Sequence, residues 1–229
     1  MHYIEIKNIN KSFCEGDTVH KVLENVNLHI NEGELTILLG RSGSGKSTLL
    51  NLLSGIDTPD SGQIFMNSTE ITLLKEPART IFRRKNVGFI FQFFNLIPTL
   101  TVVENLHLAL ELTDNFTDEG KERAKFLLNE IGLYDRINSY PDVLSGGEQQ
   151  RIAIARALVH NPGIILADEP TGNLDFKTAD KVIEILDDLV KKNGKTMVMA
   201  THSRELTGLA DRIIEFQGKS IIVSSQGQS

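Results

Sequence analysis

The chain has 229 residues, with 24 Lys and Arg set against 30 Asp and Glu for a formal charge of -6. Hydrophobic residues make up 40% and charged residues 24%, an ordinary globular balance that allows one large α/β domain or two small ones. The acidic excess argues against nucleic acid as the main partner. The single cysteine, Cys14, excludes an internal disulfide and fits a reducing compartment. The opening MHYIEIKN lacks the apolar core of a signal peptide, and no apolar run approaches the roughly 18 residues of a membrane helix. Work at a membrane would need other chains to cross it.

Residues 3–7 (YIEIK) and 22–30 (VLENVNLHI) alternate apolar and polar as half-buried strands, with a polar loop expected over 15–20. Phe13, just before that loop, reads by itself as a core aromatic, and Cys14 as a packed cysteine. The stretch 34–55, ELTILLGRSGSGKSTLLNLLSG, carries the strongest signal. A short apolar strand turns through Gly40, Arg41, Ser42, Gly43, Ser44, Gly45, Lys46, Ser47 and Thr48 into a leucine-striped helix that Gly55 stops. This is G-x-x-x-x-G-K-[ST] between a strand and a helix, a phosphate-binding loop. The glycines let backbone N–H groups crowd round a polyphosphate, and the helix aims its free amides and positive dipole end at the same anion. Lys46 would neutralise the β- and γ-phosphates, and the Ser47 hydroxyl would hold Mg²⁺. The chain is expected to bind a nucleoside triphosphate.

Further on, 58–62 reads as a turn and 63–67 as a short strand. Arg83, Arg84 and Lys85 form a solvated basic face on a helix, and 87–92 is a strand ending in a buried Gln92. Apolar residues then recur at three- and four-residue spacing over 102–112, 118–131 and 146–159, so 93–161 is a helical block. The runs 163–167 and 196–200 join 35–39 as nearly continuous apolar strands, which suits parallel strands buried on both faces. A helix over 176–192, strands near 212–216 and 220–223, and a polar tail, SSQGQS, complete the chain. His107 and His160 have no partner at a ligand spacing and read as surface residues. The expected fold is α/β, with ligands at the carboxyl ends of a mostly parallel sheet.

Those strand ends carry chemistry. Asp168 suits Mg²⁺ coordination, and Glu169 can face an attacking water as general base. His202 follows the 196–200 strand, where an imidazole could reach a γ-phosphate. Gln92 can bond both the water and Mg²⁺. A second motif, LSGGEQQR over 144–151, opens a helix: Ser145 and Glu148 form a capping box, and Gly146 and Gly147 leave the first amides bare. One nucleotide does not need two such helix ends from one chain. The second therefore serves a nucleotide on another copy, in an ATP-sandwiched dimer.

LSGGEQQR together with the phosphate-binding loop, the Asp168-Glu169 pair, Gln92 and His202 resembles an ATP-binding cassette (ABC) ATPase over almost the whole chain. The resemblance implies a P-loop NTPase (RecA-like) core, an antiparallel β subdomain and an inserted helical subdomain in one ABC domain over 1–229. Core and β subdomain would take about 1–92 and 162–229, the helical part about 93–161. It makes Lys46 and Ser47 part of Walker A, Asp168 and Glu169 the end of Walker B, Gln92 the Q-loop glutamine and His202 the switch histidine. Ser145, Gly146 and Gly147 would contact the γ-phosphate of the partner's ATP, and Asp175 would belong to the D-loop at the dimer interface. Phe13 falls where the family stacks an aromatic, more often tyrosine, on adenine; ring stacking survives the change. FQFFNLIPTLTVVENL and ADEPTGNLD are similar to the subfamily of lipoprotein-releasing, macrolide- and peptide-efflux and cell-division ATPases. That likeness implies ATP and Mg²⁺ as cofactors, a homodimer, and integral-membrane permease subunits that would hold this cytoplasmic chain on the inner face of the cell membrane. Phe93, Phe94, Leu96 and Leu100 would line the groove for the permease. The alternative, a soluble ABC ATPase acting on DNA or ribosomes, typically has two cassettes or long coiled-coil inserts, and the chain has neither room nor heptads.

Overall fold

A computed structural model describes residues 2–192, 194–217 and 220–225. The last four residues of the polar tail lie outside them. The chain divides into two compact units, 1–83 with 196–229, and 84–195.

In the first unit, β1 (His2–Glu15) and β2 (Thr18–Asn31) form a long antiparallel hairpin. Its tight turn at Gly16 and Asp17 replaces the loop expected over 15–20, and the strands run on through Glu15 and Thr18. At its tip residues 13–21 are exposed, so no burial imposes alternation there and sequence periodicity could not reveal strand. β4 (Ser61–Met66) pairs antiparallel with β1, and β5 (Thr69–Glu70) with β4, completing an antiparallel sheet. Its inner face is fully apolar at Ile4, Ile6, Ile9, Ile30, Ile64 and Met66.

The same unit holds β3 (Leu35–Gly40), parallel to both β8 (Thr196–Thr201) and β9 (Arg212–Gln217), with β10 (Ser220–Ser225) antiparallel to β9. The run 35–39, apolar but for Thr36, is buried throughout, as a strand covered on both faces requires. α1 (Lys46–Ser54) packs on β3 and β8 through Leu49, Leu50, Leu52 and Leu53, each with essentially no exposure. Gly55 ends it in left-handed conformation, φ 71°, with its N–H turned back onto Leu52 O. α2 (Glu76–Asn86) carries the basic run: Arg84 and Lys85 are exposed as expected, while Arg83 donates to Gly55 O at 2.8 Å.

In the second unit, β6 (Val87–Ile90) runs parallel to β7 (Ile164–Asp168). The helices are α3 (Val102–Glu111), α4 (Asp118–Glu130), α5 (Gly146–Leu158) and α6 (Phe176–Lys192). α5 is central, packing on β6, α3, α4 and α6. Thr101 and Glu104 start α3 with a full capping box, as Ser145 and Glu148 start α5. Two expectations are corrected here. β6 ends at Ile90, so Gln92 lies in the following loop and is half-exposed rather than buried. His160 does not offer its ring to solvent, since both of its nitrogens are shielded from water, while His107 is half-exposed and meets Phe116 edge-on at 5.1 Å.

Candidate active site

In the first unit the loop between β3 and α1 borders a cavity of about 1250 Å³. Gly45 caps α1 with φ 99°, a conformation open to glycine, and no side chain caps the helix. The start of α1 thus has no side-chain cap to compete with an anion, and its first turn has no acidic residue to repel one. Lys46 is buried, its Nζ donating to Gly40 O at 2.8 Å and Arg41 O at 3.0 Å across the loop. The Ser44 hydroxyl is buried without a hydrogen-bond partner among the described residues. A buried hydroxyl is costly to leave unpaired, so Ser44 Oγ fits an acceptor supplied from outside the chain, such as a phosphate oxygen. Ser47 is exposed and Thr48 half-buried at the helix start. His202, exposed just past the end of β8, lines the same cavity, as do Gly40 to Ser44. Phe13 lies near the tip of β1, opposite His20 of β2. Cys14 beside it is exposed, not packed, because both faces of the hairpin are solvated there.

In the second unit Asp168 closes β7 and Glu169 follows with φ 45°, directly before Pro170. Such a conformation is uncommon for a residue with a side chain, and strain of this kind concentrates at functional sites. The loop after Glu169 folds back, Gly172 N–H donating to Glu169 O at 3.0 Å and Asn173 Nδ2 to Gln92 O at 2.8 Å. A Cβ on Gly172 would sit 3.1 Å from Gln92 Nε2 and 3.4 Å from Glu169 Cβ. The structure therefore brings Gln92 and Glu169 to one loop cluster. Asp175 precedes α6, its Oδ1 accepting from Thr178 N–H at 3.1 Å, and the Thr178 side chain first and its backbone second hold the carboxyl below the usual range.

Ser145 is exposed at the head of α5 and Glu148 Oε2 accepts from its N–H at 2.8 Å and its hydroxyl at 2.6 Å. These bonds hold the Glu148 carboxyl below its ordinary pKa. Gly147 is buried against α6, where a Cβ would meet Thr178 Cγ2 at 2.3 Å. Phe93 is 69% exposed, while Phe94, Leu96 and Leu100 are half-buried. Sequence reasoning missed what holds that segment. Arg156 on α5 donates to Asn95 O at 2.6 Å and Phe94 O at 3.0 Å. Asn105, buried on α3, donates to the carbonyls of Ile97, Leu100 and Thr101 and accepts from Ile97 N–H. Both stand at ordinary helical positions, so no local pattern marked them.

A phosphate loop joining a parallel strand to its helix, in an α/β fold, defines a P-loop nucleotide-binding protein. Comparison with known proteins narrows the class. The ABC transporter family profile matches residues 23–172. An uncharacterised ABC transporter ATP-binding protein of Mycobacterium tuberculosis (strain ATCC 25618 / H37Rv) is 51% identical over 219 residues, 96% of this chain and 88% of that protein. The lipoprotein-releasing system ATP-binding protein LolD of Psychrobacter arcticus is 44% identical, covering 91% of this chain and 93% of its own length. Among solved structures, a dimeric ATP-binding cassette of Methanocaldococcus jannaschii bound to ADP and Pi superposes with a TM-score of 0.89 at 39% identity, over 98% of this chain and all of the other. The chain belongs to the ABC transporter family, as an ATP-binding cassette with ATPase activity.

Proposed function

We propose that this chain is the ATP-hydrolysing subunit of a membrane transporter of the lipoprotein-releasing, macrolide-efflux and cell-division group, working as a homodimer that transmits motion to a permease. The unpartnered Ser44 hydroxyl beside the uncapped start of α1 carries the nucleotide part of this reading, because both supply what a polyphosphate lacks. Likeness to LolD proteins and to dimeric cassettes supports the subfamily and the dimer. In that dimer Ser145, Gly146 and Gly147 of one copy meet the γ-phosphate held by the loop of the other, and Asp175 lies at the interface. Phe13 stacks on adenine, Lys46 and His202 bind the β- and γ-phosphate oxygens, and Arg41 to Thr48 enclose them. A magnesium ion held through the Ser47 hydroxyl, the Asp168 carboxylate and the Gln92 amide oxygen would neutralise charge on the phosphates. Glu169 takes a proton from the water that attacks the γ-phosphorus, and Gln92 orients that water. Phe93, the most exposed apolar residue after Gln92, would seat the permease on a segment that Arg156 and Asn105 hold in shape. The chain would thus lie on the inner face of the cell membrane.

The test is Glu169→Gln in ATP and Mg²⁺. Removing a general base costs about 10²- to 10⁴-fold, so hydrolysis should fall by that factor while a dimer accumulates on a sizing column. Turnover at the parental rate would refute the assignment of Glu169. Capture of a permease from native membranes by the trapped dimer supports the transporter reading; recovery of ribosomal or DNA-bound proteins instead would move it to the soluble alternative.

A further inference from the structure

Phe13 is 45% exposed, yet one face of its ring is already covered: the Lys11 ammonium lies 5.0 Å from the ring centroid. That contact puts both side chains on one side of β1, across the register shift between Lys11 and Ser12. Lys11 itself is only 8% exposed, and its Nζ donates at 2.8 Å to Asp57 Oδ1 and at 2.8 Å to Thr58 O. Asp57 is fixed in turn, its N–H donating to Asn51 O in the last turns of α1 and its Oδ1 accepting from Thr58 N–H. α1 is the helix that begins at Lys46. One line of contacts therefore runs from the Phe13 ring, through Lys11 and Asp57, to the far end of the phosphate-loop helix, all within the first unit.

We propose that Lys11 is a positioning residue for the nucleotide base: its anchored ammonium holds the Phe13 ring by one face, so that the other face is set to receive adenine. The inference rests on the adenine-stacking role proposed for Phe13. A phenylalanine has no hydroxyl by which a hydrogen bond could fix its ring, and a half-exposed ring near a hairpin tip can exchange rotamers. A cation fixed over one face attracts the ring's negative quadrupole and favours one orientation. A ring already oriented loses less freedom when a base stacks on it, which shows as affinity. The anchor on α1 also keeps the ring in register with the phosphate loop.

Calorimetric titration of the whole chain with ADP and, separately, with inorganic pyrophosphate tests this. Pyrophosphate probes the phosphate loop alone; ADP adds the base. Lys11→Met keeps the stem and removes the charge; it should weaken ADP about three- to tenfold, the range of a partly desolvated cation–π contact, and leave pyrophosphate unchanged. Lys11→Arg, whose guanidinium also stacks on aromatic faces, should recover much of the ADP affinity. If Lys11→Met weakens both ligands alike, or neither, Lys11 is only one half of an ion pair and the proposal fails. Should that variant not fold, Asp57→Asn, which frees the ammonium from its anchor, is read by the same selective loss for ADP and is overturned by the same two outcomes. Phe13→Ala separates the layers: it should weaken ADP more than Lys11→Met does. An unchanged ADP affinity there would remove the stacking role of Phe13, and this inference with it.

Discussion

Lowering the pH from 7.5 to 5 should weaken this fold, and His160, more strongly shifted than His29 and His107, carries the largest share. Its two ring nitrogens are shielded from water. Burial is the main reason its pKa falls from 6.5 to about 4; the Val87 backbone beside it pulls the other way, and the Arg123 and Lys195 cations push it further down. The unfolded chain takes a proton at about 6.5, whereas the folded chain refuses it until about 4. Between these values the unfolded state binds more protons, so stability falls as the pH drops through that window and is level below it. Each unit in the window is worth about 1.4 kcal/mol, giving about 3 kcal/mol for the whole passage and about 2 kcal/mol by pH 5. Against a total stability of roughly 5–15 kcal/mol this is a large share. Urea unfolding at pH 7.5 and 5.0 of the parent and of His160→Gln measures it. Other groups titrate in both proteins and cancel. Glu104 and Glu148, whose carboxyls are held low by their capping bonds, keep their contributions until the pH falls below the ordinary carboxylate range. The parent should lose about 2 kcal/mol more than the variant between the two pH values. Equal losses would refute the buried neutral ring.

Two close approaches give sharper steric tests in the second unit. A Cβ on Gly88 of β6 would lie 2.2 Å from Ala157 O and 2.7 Å from Ile165 Cδ1. A helix backbone cannot swing aside, so Gly88→Ala should cost about 1–3 kcal/mol and lower Tm by several degrees in a thermal melt; an unchanged Tm would mean that α5 does not press on β6. Gly147→Ala should also destabilise, because its Cβ meets Thr178 Cγ2 at 2.3 Å. Here the obstacle is one methyl, so adding Thr178→Ser should restore most of the Tm, and a double variant no better than the single would show that the clash lies elsewhere.

The features legible in the sequence share one property: their parts are adjacent in the chain. The phosphate loop is eight consecutive residues, the Ser145–Glu148 cap spans one helical turn, and Asp168-Glu169 follow a run that had to be a buried strand. Helical spacing likewise placed α3, α4 and α5 within a residue of their observed ends, since each buries one stripe. The rest depended on partners remote in sequence. Lys11 lies beyond the alternation read over 3–7, and nothing local marks it as buried; it is buried because Asp57, 46 residues away, meets its ammonium. His160, before Asn161 and Pro162, looks like an exposed helix end, and no local pattern shows that Arg123 and Lys195 lie close to it. The same division runs through the active site. Local motifs supply the groups proposed to meet phosphate and water, whereas Arg156 and Asn105, which hold the backbone from Phe94 to Thr101, and Lys11, which lies over Phe13, belong to no motif. A mutational scan confined to the motifs would therefore measure the chemistry and leave its positioning untouched. The ratio of ADP to pyrophosphate affinity, by contrast, reads positioning directly, because only the base depends on where Phe13 is held.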